Sequence, residues 1–227
     1  MQRNRDDAMS TDPKPTADLH GESKIHDLGF ELLVFFSDAV FAIAITLLVL
    51  DLKLQTGPQG QILFDRLVPK LIGFVISFSV TAFYWLAHHR LFKTLRAEDP
   101  WLRAVNLVFL ACVVFLAFPS SVVSEYVAVP WAVIFYALSV ATTGLMLAAL
   151  VLVSRRPTLM MPGETKGGTL RLFLRSLGTP MVFIITGFIA PRYPLQAMLC
   201  WMTVPLAIRG MGWIGIKAGH RLDRVRP

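Results

Sequence analysis

The sequence predicts an all-α polytopic membrane protein with six transmembrane helices. Three observations lead there. Hydrophobic residues make up 55% of the 227-residue chain and charged residues only 16%, a balance outside that of soluble domains. Several separate apolar runs approach the roughly 20 residues that a bilayer-spanning helix needs. Polar, basic or Gly/Pro-containing segments divide those runs. The formal charge of +7 is concentrated in particular loops, which argues for membrane orientation and against nucleic-acid binding. Cys112 and Cys200 both lie within apolar runs and read as small buried hydrophobes, not as a disulfide or metal pair.

Residues 1–28 are polar and mixed in charge and contain Pro13 and Pro15. They are expected to form a disordered cytosolic tail, without the layout of a signal peptide. Residues 29–216 hold the helices, and 217–227 form a basic cytosolic tail. The first helix is expected from about Phe30 to Leu50, where only Glu31, Ser37, Asp38 and Thr46 are polar. At about 1.5 Å per residue this crosses a hydrocarbon layer of about 30 Å. Asp51 and Lys53 mark its exit, and Gly57, Pro58 and Gly60 give the linker Gln55–Gln61 a turn composition.

The second helix is expected from about Leu67 to His88, with Pro69 in its tolerant first turns and Ser77, Ser79 and Thr81 available for contacts between helices. It ends in YWLAHHRLF, Tyr84 to Phe92. His88 and His89 are adjacent and therefore point about 100° apart on a helix, unlike the i, i+4 pair of a one-helix metal site. One of them is expected to hydrogen-bond within the bundle, with Asp38 or Ser37 as its partner. A basic loop with Arg90, Lys93, Arg96 and Arg103 leads into the third helix, about Trp101 to Val123. Asn106 near its start needs either a helix partner or an interfacial cap-like role, and Pro119 lies near its end.

The fourth helix is expected over Pro130–Val153. Between Ser154 and Arg171, Arg155, Arg156, Lys166 and Arg171 make a second basic loop, and Gly163, Gly167 and Gly168 suggest a flexible connection. Its GETKGG lacks the glycine spacing and GK[ST] ending of a phosphate-binding loop. Arg175, Gly178 and Pro180 interrupt the fifth helix, Leu172–Ala190, and Pro205 is expected to bend the sixth, Leu195–Ile214. Six helices put both termini on one side. The basic loops after the second and fourth helices make that side cytoplasmic by the positive-inside rule.

Two features of the first helix bear on function. Asp38 is costly within a membrane and must be paired, hydrogen-bonded or near water. It is either a fastener between helices or part of an ion path. Ile43, Leu47 and Leu50 fall at i, i+4 and i+7, one stripe of a helix, and Thr46 borders it. That stripe either packs on a neighbouring helix or, in a symmetric oligomer, constricts a pore. No catalytic constellation is present: Ser37 and Asp38 are sequence neighbours whose side chains diverge, so with His88 they make no triad. The chain is not expected to be an enzyme or to bind a cofactor or fixed metal.

FSDAVFAIAITLLVLDL, Phe36 to Leu52, resembles the signature of the bacterial members of the transmembrane protein 175 potassium-channel family, and YWLAHHRLF resembles that family's second-helix ending. The resemblance implies a homotetramer in the bacterial inner membrane, with a central pore formed by the first helix. It implies that Ile43 is similar to the apolar constriction, that Leu47 and Leu50 continue the lining, and that Thr46 matches the position linked to selectivity, with potassium passing transiently beside it. Phe36, Ser37 and Asp38 match a motif with a structural role, and Trp85, His88 and Asn106 are implied as members of the same polar network. Leu32 stands where the family usually carries an arginine, and Val34 where an acid is common.

The expected function is a passive potassium-permeable cation channel with a hydrophobic gate on the first helix. Its partners are further copies of itself and the lipid bilayer. The alternative is a proton-coupled secondary transporter using Asp38 and a histidine.

Overall fold

The structure is a computed structural model that describes residues 17–50, 52, 64–126, 129–163 and 165–224. The first part of the N-terminal tail, Asp51, Lys53, the linker Gln55–Gln61 and the last three residues of the C-terminal tail lie outside the described residues. All regular elements described are helical: α1 (Ala17–Val49), α2 (Phe64–Phe92), α3 (Pro100–Phe115), α4 (Ala117–Glu125), α5 (Pro130–Val153), α6 (Lys166–Ser176), α7 (Gly178–Ile189), α8 (Pro194–Cys200) and α9 (Val204–Arg224). Among the described residues six helical stretches are long and apolar enough to span a membrane: Leu28–Val49, Leu67–Phe92, Pro100–Glu125, Pro130–Val153, Gly167–Ile189 and Pro194–Gly219.

Three spans are composite, and proline accounts for each break. A proline inside a helix removes one backbone bond and crowds the carbonyl four residues earlier. Pro119 follows the break at Leu116 between α3 and α4, and Pro180 follows the break at Leu177 between α6 and α7. Pro205 follows a 3₁₀ turn, Trp201–Thr203, between α8 and α9. Prolines also open α3, α5 and α8, where the missing N–H costs nothing. Asp99 caps α3 by accepting from the Leu102 amide at 2.7 Å, and Thr165 caps α6 by accepting from the Gly168 amide at 3.0 Å.

Two boundaries differ from the sequence expectation. α1 begins at Ala17, within the segment expected to be a disordered tail. No proline follows Pro15 there, and Ala17, Leu19, Glu22 and Lys24 are good helix formers. α6 begins at Lys166, so Gly167 and Gly168 are helical, not part of a flexible connection. Of those three glycines only Gly163 has a positive φ, +96°. Gly167 serves a close crossing instead: a Cβ on Gly219 would lie 3.0 Å from its Cα, and a Cβ on Gly215 would lie 2.8 Å from the Arg171 Cα. Gly215 and Gly219 are thus a small-xxx-small pair that lets α9 approach α6 backbone to backbone.

α5 is the centre of the bundle. More than half of its apolar window is buried, and it packs on α2, α3, α4, α6, α7 and α8. Gly144 on α5 makes room for α7: a Cβ there would meet Pro180 Cδ at 2.6 Å and the Tyr84 hydroxyl at 3.0 Å. Gly144→Val is expected to lower stability by about 1–3 kcal/mol through overpacking. Thermal melting in detergent checks it, and a melting point equal to wild type would show that this contact yields freely.

The connections at one end of the bundle are tied together. An isolated antiparallel bridge joins Leu95 and Met160, with Arg96 N–H donating to Leu159 O at 2.9 Å and Met161 N–H donating to Thr94 O at 2.9 Å. Arg156 also pairs with Asp99. The two basic loops therefore share one face. A Cβ on Gly29 would lie 3.2 Å from Glu98 Oε1, so the start of the first span lies there too. Lys70 and Glu125 pair at 2.9 Å at the other end, which explains how α2 carries a lysine just inside its span. Trp101 and Trp213 are exposed at the first end and Tyr126, Trp131 and Tyr193 at the second, the distribution of interfacial aromatic belts.

Candidate pore helix and its polar anchor

The first span has two faces with opposite surroundings. Leu33, Ser37, Phe41, Ala44 and Leu48 are buried, at steps of three or four residues that put them on one side of the helix. α1 packs that side against α2, α3 and α4. The opposite side stays exposed. Ile43 is 58% accessible, Leu47 37% and Leu50 64%, and Ala39, Ala42 and Thr46 are exposed on the same side. From Leu32 to Leu50 this open face carries no charged side chain.

Thr46 Oγ1 donates to Ile43 O at 2.8 Å. That bond occupies the hydroxyl proton within the helix. The oxygen lone pairs remain free, and on an exposed face they can contact a cation.

A chain of buried polar groups fixes the other face. Ser37 Oγ donates to Leu33 O at 2.8 Å, and Asn106 Nδ2 donates to Ser37 Oγ at 2.9 Å. Asn106 Oδ1 and His88 Nε2 lie 2.9 Å apart. Ser37, His88 and Asn106 are all within 1% of complete burial, so this chain joins α1, α3 and α2 where water cannot compete. Phe41, Phe92 and Phe109 surround the His88 ring, with centroids at 5.6, 4.2 and 5.7 Å. Asp38 is only partly buried, and its Oδ1 accepts from Trp85 Nε1 at 2.9 Å. Among the described residues no buried side-chain nitrogen or oxygen lacks a partner.

The expected direct bond from a histidine to Asp38 or Ser37 is not formed. Asn106 stands between His88 and Ser37, and Trp85 takes Asp38. His88 and Asn106 face each other across α2 and α3, a geometry that spacing along either helix does not encode. Asn106 is fully buried, so it is no interfacial cap. Phe36 is half exposed and stands outside the hydrogen-bonded chain. Trp85 donates only through its indole N–H, so the Asp38–Trp85 contact offers no proton-relay step. Among the described residues no group of three or more His, Cys, Asp or Glu is placed to hold a metal.

A second buried cluster was not assembled from the sequence. Ser120 Oγ donates to Ser77 Oγ at 2.5 Å, and Ser77 Oγ lies 3.1 Å from the Tyr136 hydroxyl. It joins α4, α2 and α5. Its signal was two serines and a tyrosine inside apolar spans, each of which needs a partner in a membrane.

Fold and site together define a multi-pass α-helical membrane protein whose first span is anchored on one side and open, apolar and uncharged on the other. The family model described as endosomal/lysosomal potassium channel TMEM175 matches residues 32–117, which take in both faces of that span and the whole Ser37–Asn106–His88 chain. Two bacterial potassium channels match as well. One from Streptomyces collinus is 40% identical over 96 residues, 40% of this chain and 46% of that protein. One from Chamaesiphon minutus is 37% identical over 105 residues, 43% of this chain and 50% of that protein. Residues 32–117 are thus similar to the TMEM175 family, and 40–43% of the chain is similar to bacterial potassium channels.

The human endosomal/lysosomal proton channel TMEM175 is 25% identical over 211 residues, 86% of this chain and 42% of the human protein. The chain spans about half the length, or less, of the curated relatives it matches. Two solved structures share the fold. A lysosomal potassium-selective channel TMEM175 homologue from Chamaesiphon minutus has a TM-score of 0.62 at 21% identity, over 85% of this chain and 97% of that one. A variant of the potassium channel MtTMEM175 has a TM-score of 0.53 at 18% identity, over 85% and 93%.

Proposed function

We propose that the protein is a passive potassium-permeable cation channel of the bacterial inner membrane, a homotetramer whose first helices surround a central pore. The observation that carries this reading is the open face of α1. In a single subunit Ile43, Leu47 and Leu50 are exposed on a helix at the edge of the bundle. Four such faces around an axis make apolar rings that exclude ions, because dehydrating an ion is costly. Ile43 is the gate, Leu47 and Leu50 continue the lining, and the Thr46 oxygen contacts potassium in passing. The potassium-channel family model matches residues 32–117, which contain this stretch, relatives named as potassium channels match part of the chain, and the name of the human relative makes protons a second ion to test.

Both termini lie in the cytoplasm in this reading, because the tied basic loops share the end of the bundle where the first span begins. Ser37, Asp38, Trp85, His88 and Asn106 hold α1 in place, and Phe36 lies on the open side. Asp38→Ala strands the Trp85 indole. It is expected to cost about 1–3 kcal/mol and to reduce the folded tetramer without changing ion preference. A fully assembled tetramer with altered selectivity would instead place Asp38 in the ion path.

The decisive experiment is potassium, sodium and proton flux into liposomes containing the purified protein, with the oligomer mass measured alongside. Large electrogenic flux that does not saturate supports the channel. Saturable flux coupled to protons would make it the transporter, with Asp38 and a histidine as carriers.

A further inference from the structure

Two arginines interrupt the apolar surface of the last two spans. Arg175 lies inside the fifth span and Arg209 inside the sixth. Charge at that depth is retained where it snorkels, pairs or meets a ligand. With Arg90 near the end of α2, these two line one cavity of about 210 Å³ enclosed by α2, α5, α6, α7 and α9. Arg171, one turn before Arg175, adds a fourth like charge close enough for Arg175 to feel it. Among the described residues the ion pairs are Lys70–Glu125, Arg103–Glu98 and Arg156–Asp99. None of the four clustered arginines is in them.

The fold forces these charges together. The close crossing at Gly215 presses α9 onto Arg171, and a Cβ on Gly212 would lie 4.0 Å from Arg175 Cδ. Arg209 lies one turn before Gly212 and so shares that face. Like charges gathered beside low-dielectric material repel strongly unless an anion sits among them. None of the acids in those three ion pairs serves them.

The cavity has a second chemistry. Ser176 and Thr179 stand beside the arginines, whereas Phe83, Leu86, Leu147 and Ile208 make an apolar wall. The arginines lie toward the end of the bundle that carries the basic loops. An amphiphile with an anionic head matches both parts.

We propose that this cavity binds the phosphate of an anionic phospholipid, held by Arg90, Arg175 and Arg209, with its apolar portion against the wall of Phe83, Leu86, Leu147 and Ile208. Guanidinium groups present planar donor forks that engage phosphate oxygens in pairs. Basic pockets between membrane helices recognise lipid head groups by this chemistry. Inorganic phosphate offers the same oxygens but leaves the apolar wall without an occupant. The site is separate from the α1 face and does not depend on the channel reading.

The test is native mass spectrometry of the purified full chain with phosphatidylglycerol, phosphatidylcholine or inorganic phosphate, with thermal melting of the same samples. Phosphatidylglycerol is expected to be retained about tenfold better than phosphatidylcholine, a ratio readily resolved. Arg90→Gln, Arg175→Gln and Arg209→Gln are each expected to reduce that preference and together to remove it. Arg155→Gln, in the basic loop outside this cavity, is expected to leave it intact. Equal retention of the two lipids by the unaltered chain would overturn the proposal, and that measurement holds even if the triple variant does not fold. So would an unchanged preference in a folded triple variant, an equal loss with Arg155→Gln, or stabilisation by inorganic phosphate but not by phosphatidylglycerol.

Discussion

Asn106→Ala is expected to lower the stability of the folded protein by roughly 2–4 kcal/mol, because it breaks two buried hydrogen bonds and strands the groups on both sides. His88 Nε2 loses its acceptor, and Ser37 loses the amide at 2.9 Å. Neither can turn to water, because both side chains are buried. The change also removes the hydrogen-bonded chain that ties α1, α2 and α3 and leaves the aromatic packing of Phe41, His88 and Phe109 to hold that level. Asn106→Asp is a useful companion, since it keeps the shape but replaces the amide donor with a buried carboxyl group. It is expected to be damaging too, and Asp38→Asn far less so, because an amide oxygen can still accept from Trp85. Thermal melting and the yield of monodisperse protein measure all three. If Asn106→Ala melts with wild type, the buried chain does not hold the helix.

Ile43→Ser is expected to raise basal potassium flux by about tenfold, equivalent to about 1.4 kcal/mol off the barrier. A serine ring is smaller than an isoleucine ring and offers hydroxyls, so the constriction wets more readily. The prediction requires the open face of α1 to line the pore. Ile43 is exposed and makes none of the hydrogen bonds that anchor α1, so the substitution is expected to leave folding intact. The assay is flux into liposomes at equal protein incorporation and equal oligomer mass. Unchanged flux would move the gate elsewhere. Phe36→Ala, on the same exposed side but toward the start of the span, tests whether the effect is local to Ile43.

The sequence was most legible where the physics is local. The fourth span matched its expected limits, Pro130 to Val153, because a proline opens it and an unbroken apolar run fills it. The interruptions in the third, fifth and sixth spans follow from Pro119, Pro180 and Pro205, and a proline acts on its own preceding turn wherever the chain goes. The need for partners at Ser37, Asp38, His88 and Asn106 was also visible, since a polar group within an apolar span must be satisfied.

What the sequence by itself determined is therefore the number of spans, their breaks and the residues that could not remain unpaired. Only the tertiary structure decided which partner each received. Asn106, not Asp38, meets His88, and Trp85 meets Asp38, because the crossing of α1, α2 and α3 sets those distances and no single helix's periodicity contains it. The same holds for the open side of α1. Its stripe of Ile43, Leu47 and Leu50 was equally suited to packing within the subunit until Ser37, Phe41 and Ala44 turned toward the bundle and left that stripe outside. The gathering of Arg90, Arg175 and Arg209 has a similar origin, since residues far apart in sequence become neighbours only where glycine lets α9 lie against α6.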